Sequence, residues 1–136
     1  QALGEAGARL VISSRKENEL ADAAEQLRAA GIDVTPLAVD LADEDAVIGL
    51  ADRALEVLGR VDILVNNAGA SWGAPAEDYP LEGWDKVMTL NVRNLFLLTR
   101  EIGRRSMIPN GGGRVVNVAS NAALGGNRDF MQAVGY

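Results

Sequence analysis

The chain has 136 residues, 48% of them hydrophobic, which is material for one domain with a sizeable core. Lys and Arg total 13 against 19 Asp and Glu, a formal charge of −6, so no electrostatic pull toward nucleic acid or an anionic membrane is expected. Cysteine and histidine are both absent, which excludes disulfides, thiolate and imidazole catalysis and the usual zinc site, and leaves any chemistry to hydroxyls, amides, carboxylates or a bound cofactor.

Gln1 to Ala6 is rich in helix formers, and Gly4 and Gly7 fall where a helix runs out, so the sequence is expected to open inside a helix. Arg9 to Ser14 is a short apolar run suited to a strand buried on both faces. From Glu17 the period changes: Leu20, Ala23, Ala24 and Leu27 recur at helical spacing, and Gly31 supplies a stop. The unit then repeats, with Val34 to Val39 as a strand, Asp43 as the N-cap of a second helix, Val47, Leu50, Ala51, Ala54 and Leu58 on one face of it, and Gly59 at its end. Ile63 to Asn66 is the third strand. Beyond a polar loop from Ala70 to Tyr79, the residues Trp84, Val87, Met88, Leu95, Phe96 and Leu98 predict a long or broken helix reaching about Met107. Gly111-Gly112-Gly113 turns the chain into a buried strand from Arg114 to Ala119. No apolar run approaches the ~20 residues of a membrane span and no charged-then-apolar leader opens the sequence, so the chain is expected to be soluble and cytoplasmic.

Strands alternating with helices across short connections predict an α/β domain, residues 1–136, with a parallel sheet covered on both faces. In such sheets ligands bind beyond the carboxyl ends of the strands. Here those ends carry Ser14-Arg15, Asp40-Leu41, Asn67-Ala68-Gly69 and Ser120. Small Ala68 and Gly69 let backbone approach a flat ligand, and asparagine amides can tie neighbouring strand ends together. Asn91 lies inside a helical stretch, where its side chain competes with the backbone for hydrogen bonds. Ser120 ends a strand, and Tyr136 follows sixteen positions later.

Asn66-Asn67-Ala68-Gly69, then Asn91 in a Leu-Asn-Val run, then Ser120 and Tyr136, resembles the motif series of the short-chain dehydrogenase/reductase family. The resemblance implies a Rossmann-type doubly wound parallel sheet and an NAD(P)-dependent oxidoreductase that moves a hydride between the cofactor and a carbonyl or secondary alcohol. It assigns catalysis to Asn91, Ser120 and Tyr136, the tyrosine being aided by a lysine four positions on, and cofactor contacts to Asp40 and Leu41 at the adenine and to Asn67, Ala68 and Gly69. NAD-preferring relatives carry an acidic residue after the first strand of this segment, where this sequence has Ser14 followed by Arg15 and Lys16. A hydroxyl and a guanidinium would bind a 2'-phosphate that a carboxylate would repel, so NADP is expected in preference to NAD.

Nothing here matches the family's glycine-rich phosphate loop. Gly111-Gly112-Gly113 precedes a strand, whereas a pyrophosphate cradle must follow one and open a helix. The resemblance places the family's first strand, that loop, the lysine and the last strands outside these residues, so the sheet is expected to be incomplete, with two half-sheets facing each other across unpaired edges. Such a segment is expected not to fold alone. Homotetramers or homodimers are implied by the family. Ser71-Trp72-Gly73, Tyr79-Pro80 and Trp84 resemble two branches, the gluconate 5-dehydrogenase-like enzymes and the β-ketoacyl reductases, which imply a keto sugar acid or a 3-ketoacyl thioester as substrate. Two other readings stay open: a catalytically inactive, dinucleotide-sensing or scaffolding member of the same family, and a flavodoxin-like or receiver-type domain, which would leave Asn66 to Gly69 without a role.

Overall fold

A computed structural model describes residues 1–120. Along the chain these form α1 (Ala2–Glu5), β1 (Leu10–Ser14), α2 (Glu17–Ala29), β2 (Val34–Ala38), α3 (Glu44–Leu58), β3 (Ile63–Asn66), a 3-10 turn (Ala76–Asp78), α4 (Leu81–Met88), a π-helical turn (Thr89–Asn94), α5 (Leu95–Ile102), a second π-helical turn (Gly103–Met107) and β4 (Arg114–Asn117). The α3 helix shows why local sequence suffices for most of these. Asp43, in extended conformation, accepts a hydrogen bond from the Asp45 N–H, Glu44 and Asp45 complement the positive end of the helix, and Gly59 leaves it at φ 76°. Likewise α2 buries Leu20 and Ala24, and Gly31 follows at φ 78°.

The strands pair in parallel as two separate two-stranded sheets, β1 with β2 and β3 with β4. Leu10 lies opposite Val34 and Ile12 opposite Pro36 in the first, and Ile63 opposite Arg114 and Asn66 opposite Asn117 in the second. Pro36 can donate nothing to a ladder, and β2 pairs on one side only among the described residues. In the same span β1 and β3 each leave one edge unpaired, and their facing residues line a common cleft. This is the arrangement of two half-sheets that the family resemblance implies for these residues.

The main core lies between α3, α5 and the second sheet, where Ala51, Val61, Ile102 and Met107 pack with Leu55, Leu58, Leu64 and Leu98. Ser106 sits at its margin, 1% exposed, its Oγ accepting from the Val61 N–H at 2.8 Å and donating to the Val61 carbonyl at 3.3 Å. A serine inside a helical stretch normally bonds its own helix; here the second π turn carries it against the start of β3 instead. Ser106→Ala strands two main-chain groups and should cost about 1–3 kcal/mol of stability in the full-length protein. Denaturant melts that superimpose with wild type would sink that account.

Within the described residues β4 is exposed, with Val115 at 40% and Val116 at 48%, its principal packing partner there being β3. One expectation needs correction. In the α4–α5 region, Phe96 is 63% exposed and Trp84 40%, while Val87 and Leu97 are buried. The π turn at 89–94 inserts a register shift into the helix, so the inward face after it is one residue out of step with the face before it.

Candidate functional site

Between the two sheets lies a gap of about 550 Å³, part of which the family resemblance assigns to a strand outside these residues. Its walls include Ser14 and Arg15 after β1, Asp40 and Leu41 after β2, and Asn67, Ala68 and Gly69 after β3. All seven cofactor positions expected from the sequence thus meet in one concavity. Parallel strands make this possible, since every strand releases its following loop at the same end of the sheet.

The turn after β2 is organised locally. Asp40 Oδ1 accepts from the Ala42 N–H at 3.0 Å, the Asp43 N–H donates to the Asp40 carbonyl at 3.2 Å, and Asp43, not Asp40, caps α3. After β1, Ser14 Oγ accepts from the Lys16 N–H at 3.3 Å, Lys16 pairs with Glu19 at 2.6 Å, and Arg15 has no ion pair among the described residues. A guanidinium at the mouth of the cleft is therefore available to an anion.

At the end of β3, Asn66 is 7% exposed and its Nδ2 donates both to Asn117 Oδ1 at 2.8 Å and to Thr99 Oγ1 at 3.0 Å, tying β3 to β4 and to α5. Asn91 lies in the first π turn and brackets one peptide: its Oδ1 accepts from the Ala70 N–H at 2.8 Å and its Nδ2 donates to the Ala70 carbonyl at 2.9 Å. Each of those amide atoms keeps capacity for one more partner. Close packing adds a steric demand, because a Cβ on Gly69 would lie 3.4 Å from Asn91 Oδ1. Ser120 is half-buried and follows β4 by three residues. It emerges at the same end as Gly69, since Val118 N–H donates to the Asn66 carbonyl at 2.9 Å. Neither Asn91 nor Ser120 lines the cleft itself. Tyr136 lies outside the described residues.

Two features escaped the sequence. Asn94, 2% exposed, also faces the cleft, and its Nδ2 donates to the Leu41 carbonyl at 2.7 Å; a second asparagine three residues after Asn91 in one helical stretch was the available signal. The loop at 70–80 is strapped down by Trp72, whose ring lies where a Cβ on Gly83 would be (2.7 Å) and carries Lys86 Nζ 5.4 Å from its centroid, while Tyr79 Oη donates to the Trp72 carbonyl at 3.2 Å. The triple glycine at 111–113 turns the chain into β4, with Gly111 and Gly112 at positive φ. Among the described residues no cluster of acidic side chains could hold a metal ion, and no helix is long and apolar enough to cross a membrane.

A family profile described as short chain dehydrogenase matches residues 1–132. The chain belongs to the short chain dehydrogenase family. Over 138 aligned residues it is 41% identical to the rhamnolipids biosynthesis 3-oxoacyl-[acyl-carrier-protein] reductase of Pseudomonas aeruginosa, covering 99% of this chain and 54% of that protein. Among solved structures, the NADP active-site complex of Pseudomonas aeruginosa RhlG superimposes with a TM-score of 0.84 at 42% identity, over 98% of this chain and 52% of that one. An NAD+-bound xylitol dehydrogenase superimposes at 0.88 with 32% identity, over 98% and 50%. The chain thus has the Rossmann-like α/β fold of the family and spans about half the length of the short chain dehydrogenases it matches.

Proposed function

We propose that these residues form the dinucleotide-reading part of an NADP(H)-dependent oxidoreductase acting on a small carbonyl compound or the matching secondary alcohol. The observation that carries this is that Ser14-Arg15, Asp40-Leu41 and Asn67-Ala68-Gly69, three separate strand ends, lie together at the carboxyl ends of the parallel strands. The cleft suits the cofactor's chemistry: a carboxylate and main-chain groups at Asp40-Leu41 for an adenine edge, a hydroxyl and an available guanidinium at Ser14-Arg15 for a 2'-phosphate, and side-chain-free backbone at Gly69 for a flat ring.

When bound, the nicotinamide would supply or accept the hydride. The chain's own residues handle the proton and the geometry. Tyr136 would donate its proton to the substrate oxygen, helped by the lysine that the family carries four positions later, because a free phenol titrates near pH ~10. Ser120 would donate a hydrogen bond to the same oxygen and orient the substrate. Asn91 would anchor a water in the proton relay while its amide holds Ala70 in place. For the substrate, the resemblance of the Trp72 loop and the identity to a 3-oxoacyl reductase support a 3-ketoacyl thioester, and the gluconate 5-dehydrogenase-like branch supports a keto sugar acid. The working assembly is proposed to be a homotetramer or homodimer in the cytoplasm.

Adding NADPH to the full-length protein should change nicotinamide fluorescence, and either substrate type should then oxidise NADPH at a rate proportional to protein. No change in fluorescence would defeat the dinucleotide assignment, and binding without turnover on any carbonyl would favour an inactive, sensing member of the family.

A further inference from the structure

Trp72 and Tyr79 stand out in the sequence, and no step of the proposed reaction uses either. The loop that carries them, at 70–80, is built onto α4 by contacts that lie wholly within the described residues. The indole of Trp72 lies against Gly83, where a Cβ would come within 2.7 Å of the ring, so a larger residue at 83 would displace it. Tyr79 Oη donates to the Trp72 carbonyl at 3.2 Å and closes the loop on itself. Three residues beyond Gly83 on α4, Lys86 carries its Nζ over the same ring, 5.4 Å from the centroid.

Lys86 is exposed, and Glu82 stands four positions before it on α4, the order that favours an ion pair across one helical turn. The ammonium makes no pair with Glu82 and lies on the indole instead. An aromatic face holds a cation without neutralising it, as a carboxylate would, so the charge stays available to an anion. The pair also lies close to the candidate site. Trp72 is two positions past Ala70, whose peptide Asn91 brackets, which is at most ~7 Å of chain. Lys86 precedes Asn91 by five positions, about 7–8 Å along the helical stretch, on the side of the loop that leaves the carboxyl end of β3.

We propose that Lys86, held on Trp72, is a specificity-determining contact for an anionic group of the substrate that lies away from the reacting carbonyl. This rests on the oxidoreductase reading and deepens it. The two proposed substrate types share the required chemistry: a keto sugar acid carries a carboxylate, and a 3-ketoacyl thioester of phosphopantetheine carries a phosphate. Either accepts a charge-assisted hydrogen bond from an ammonium group. Because the indole fixes where the ammonium sits, less side-chain freedom is lost when the anion arrives. The contact is remote from the hydride and the proton, so it strengthens ground state and transition state alike.

The test uses the full-length protein, NADPH and two matched pairs of substrates: a keto sugar acid against the neutral ketose of the same length, and a 3-ketoacyl phosphopantetheine against the same 3-ketoacyl pantetheine without its phosphate. Lys86→Met keeps the stem on Trp72 and removes the charge, at an exposed position where folding should survive. The KM for the anionic member should rise about ten-fold, the loss of one hydrogen bond to a charged group. Its kcat should stay within about two-fold, as expected when uniform binding is lost. The KM for the neutral member and for NADPH should stay near wild type. Lys86→Arg should recover most of the loss, and Arg53→Met, which removes one positive charge from the exposed side of α3, should cause none. A response confined to one pair identifies the anion as carboxylate or phosphate, and a response in both shows that the contact reads charge alone. Equal changes for charged and neutral members, or no change in either pair, overturn the inference, as does a wild type that turns over only neutral carbonyls. NADPH binding in any of those cases leaves the dinucleotide reading standing. A wild type that binds no NADPH overturns both.

Discussion

In the full-length protein, Tyr136→Phe should lower kcat by about 10²–10⁴-fold, the usual weight of a positioned proton donor, and leave NADPH affinity near that of wild type. The substitution removes one hydroxyl and keeps the ring, so cofactor binding should persist while the proposed proton source is lost. The split between binding and turnover is the informative quantity. Ser120→Ala should also lower kcat, but by less, because an orienting hydrogen bond is lost and no proton is. Substantial turnover by Tyr136→Phe would remove the phenol from the chemistry, and a parallel loss of NADPH binding would make the residue a support for the cofactor pocket.

The second large effect concerns cofactor choice. Arg15 stands at the cleft mouth with no ion pair among the described residues, next to Ser14, whose hydroxyl already accepts from the Lys16 N–H and retains its own proton to donate. A hydrogen bond to a charged group contributes about 1.5–3 kcal/mol, so removing the guanidinium with Arg15→Ala should reduce kcat/KM for NADPH by roughly 10–100-fold and leave NADH nearly untouched. Ser14→Asp should go further, since a carboxylate repels the 2'-phosphate while accepting from the ribose hydroxyls that NAD offers there. The ratio of the two specificity constants, measured for both variants, is the check. A wild type that already prefers NADH, or a ratio unmoved by either change, would remove Arg15 and Ser14 from cofactor selection. Solved relatives carrying NADP and NAD+ both exist, so this measurement decides a point that the fold leaves open.

Much of the candidate site is legible in the sequence because the residues proposed for it lie at strand ends, and strand ends are announced by local chemistry. Apolar runs such as Leu10–Ser14 and Ile63–Asn66 stop at polar or small residues, and parallel pairing brings every stop to one end of the sheet. Asp43 and Gly59 mark α3 for the same reason, since caps act within one turn of the chain. Local chemistry misleads for residues whose setting depends on distant parts. Phe96 looks inward at helical period, but a π insertion upstream turns it to solvent.

The sequence by itself determined the order of strands and helices, the parallel α/β class and the identity of the residues at each strand end, because hydrophobic period, capping and turn chemistry operate over a few positions. Only the tertiary structure decided that those ends lie together, that Asn66 ties β3 to Asn117 and Thr99, and that Asn91 and Asn94 reach from one helical turn to two loops. The physical reason is range. A side-chain hydrogen bond spanning 53 positions, as from Asn94 to Leu41, leaves no local trace beyond an asparagine where a helix would prefer something else.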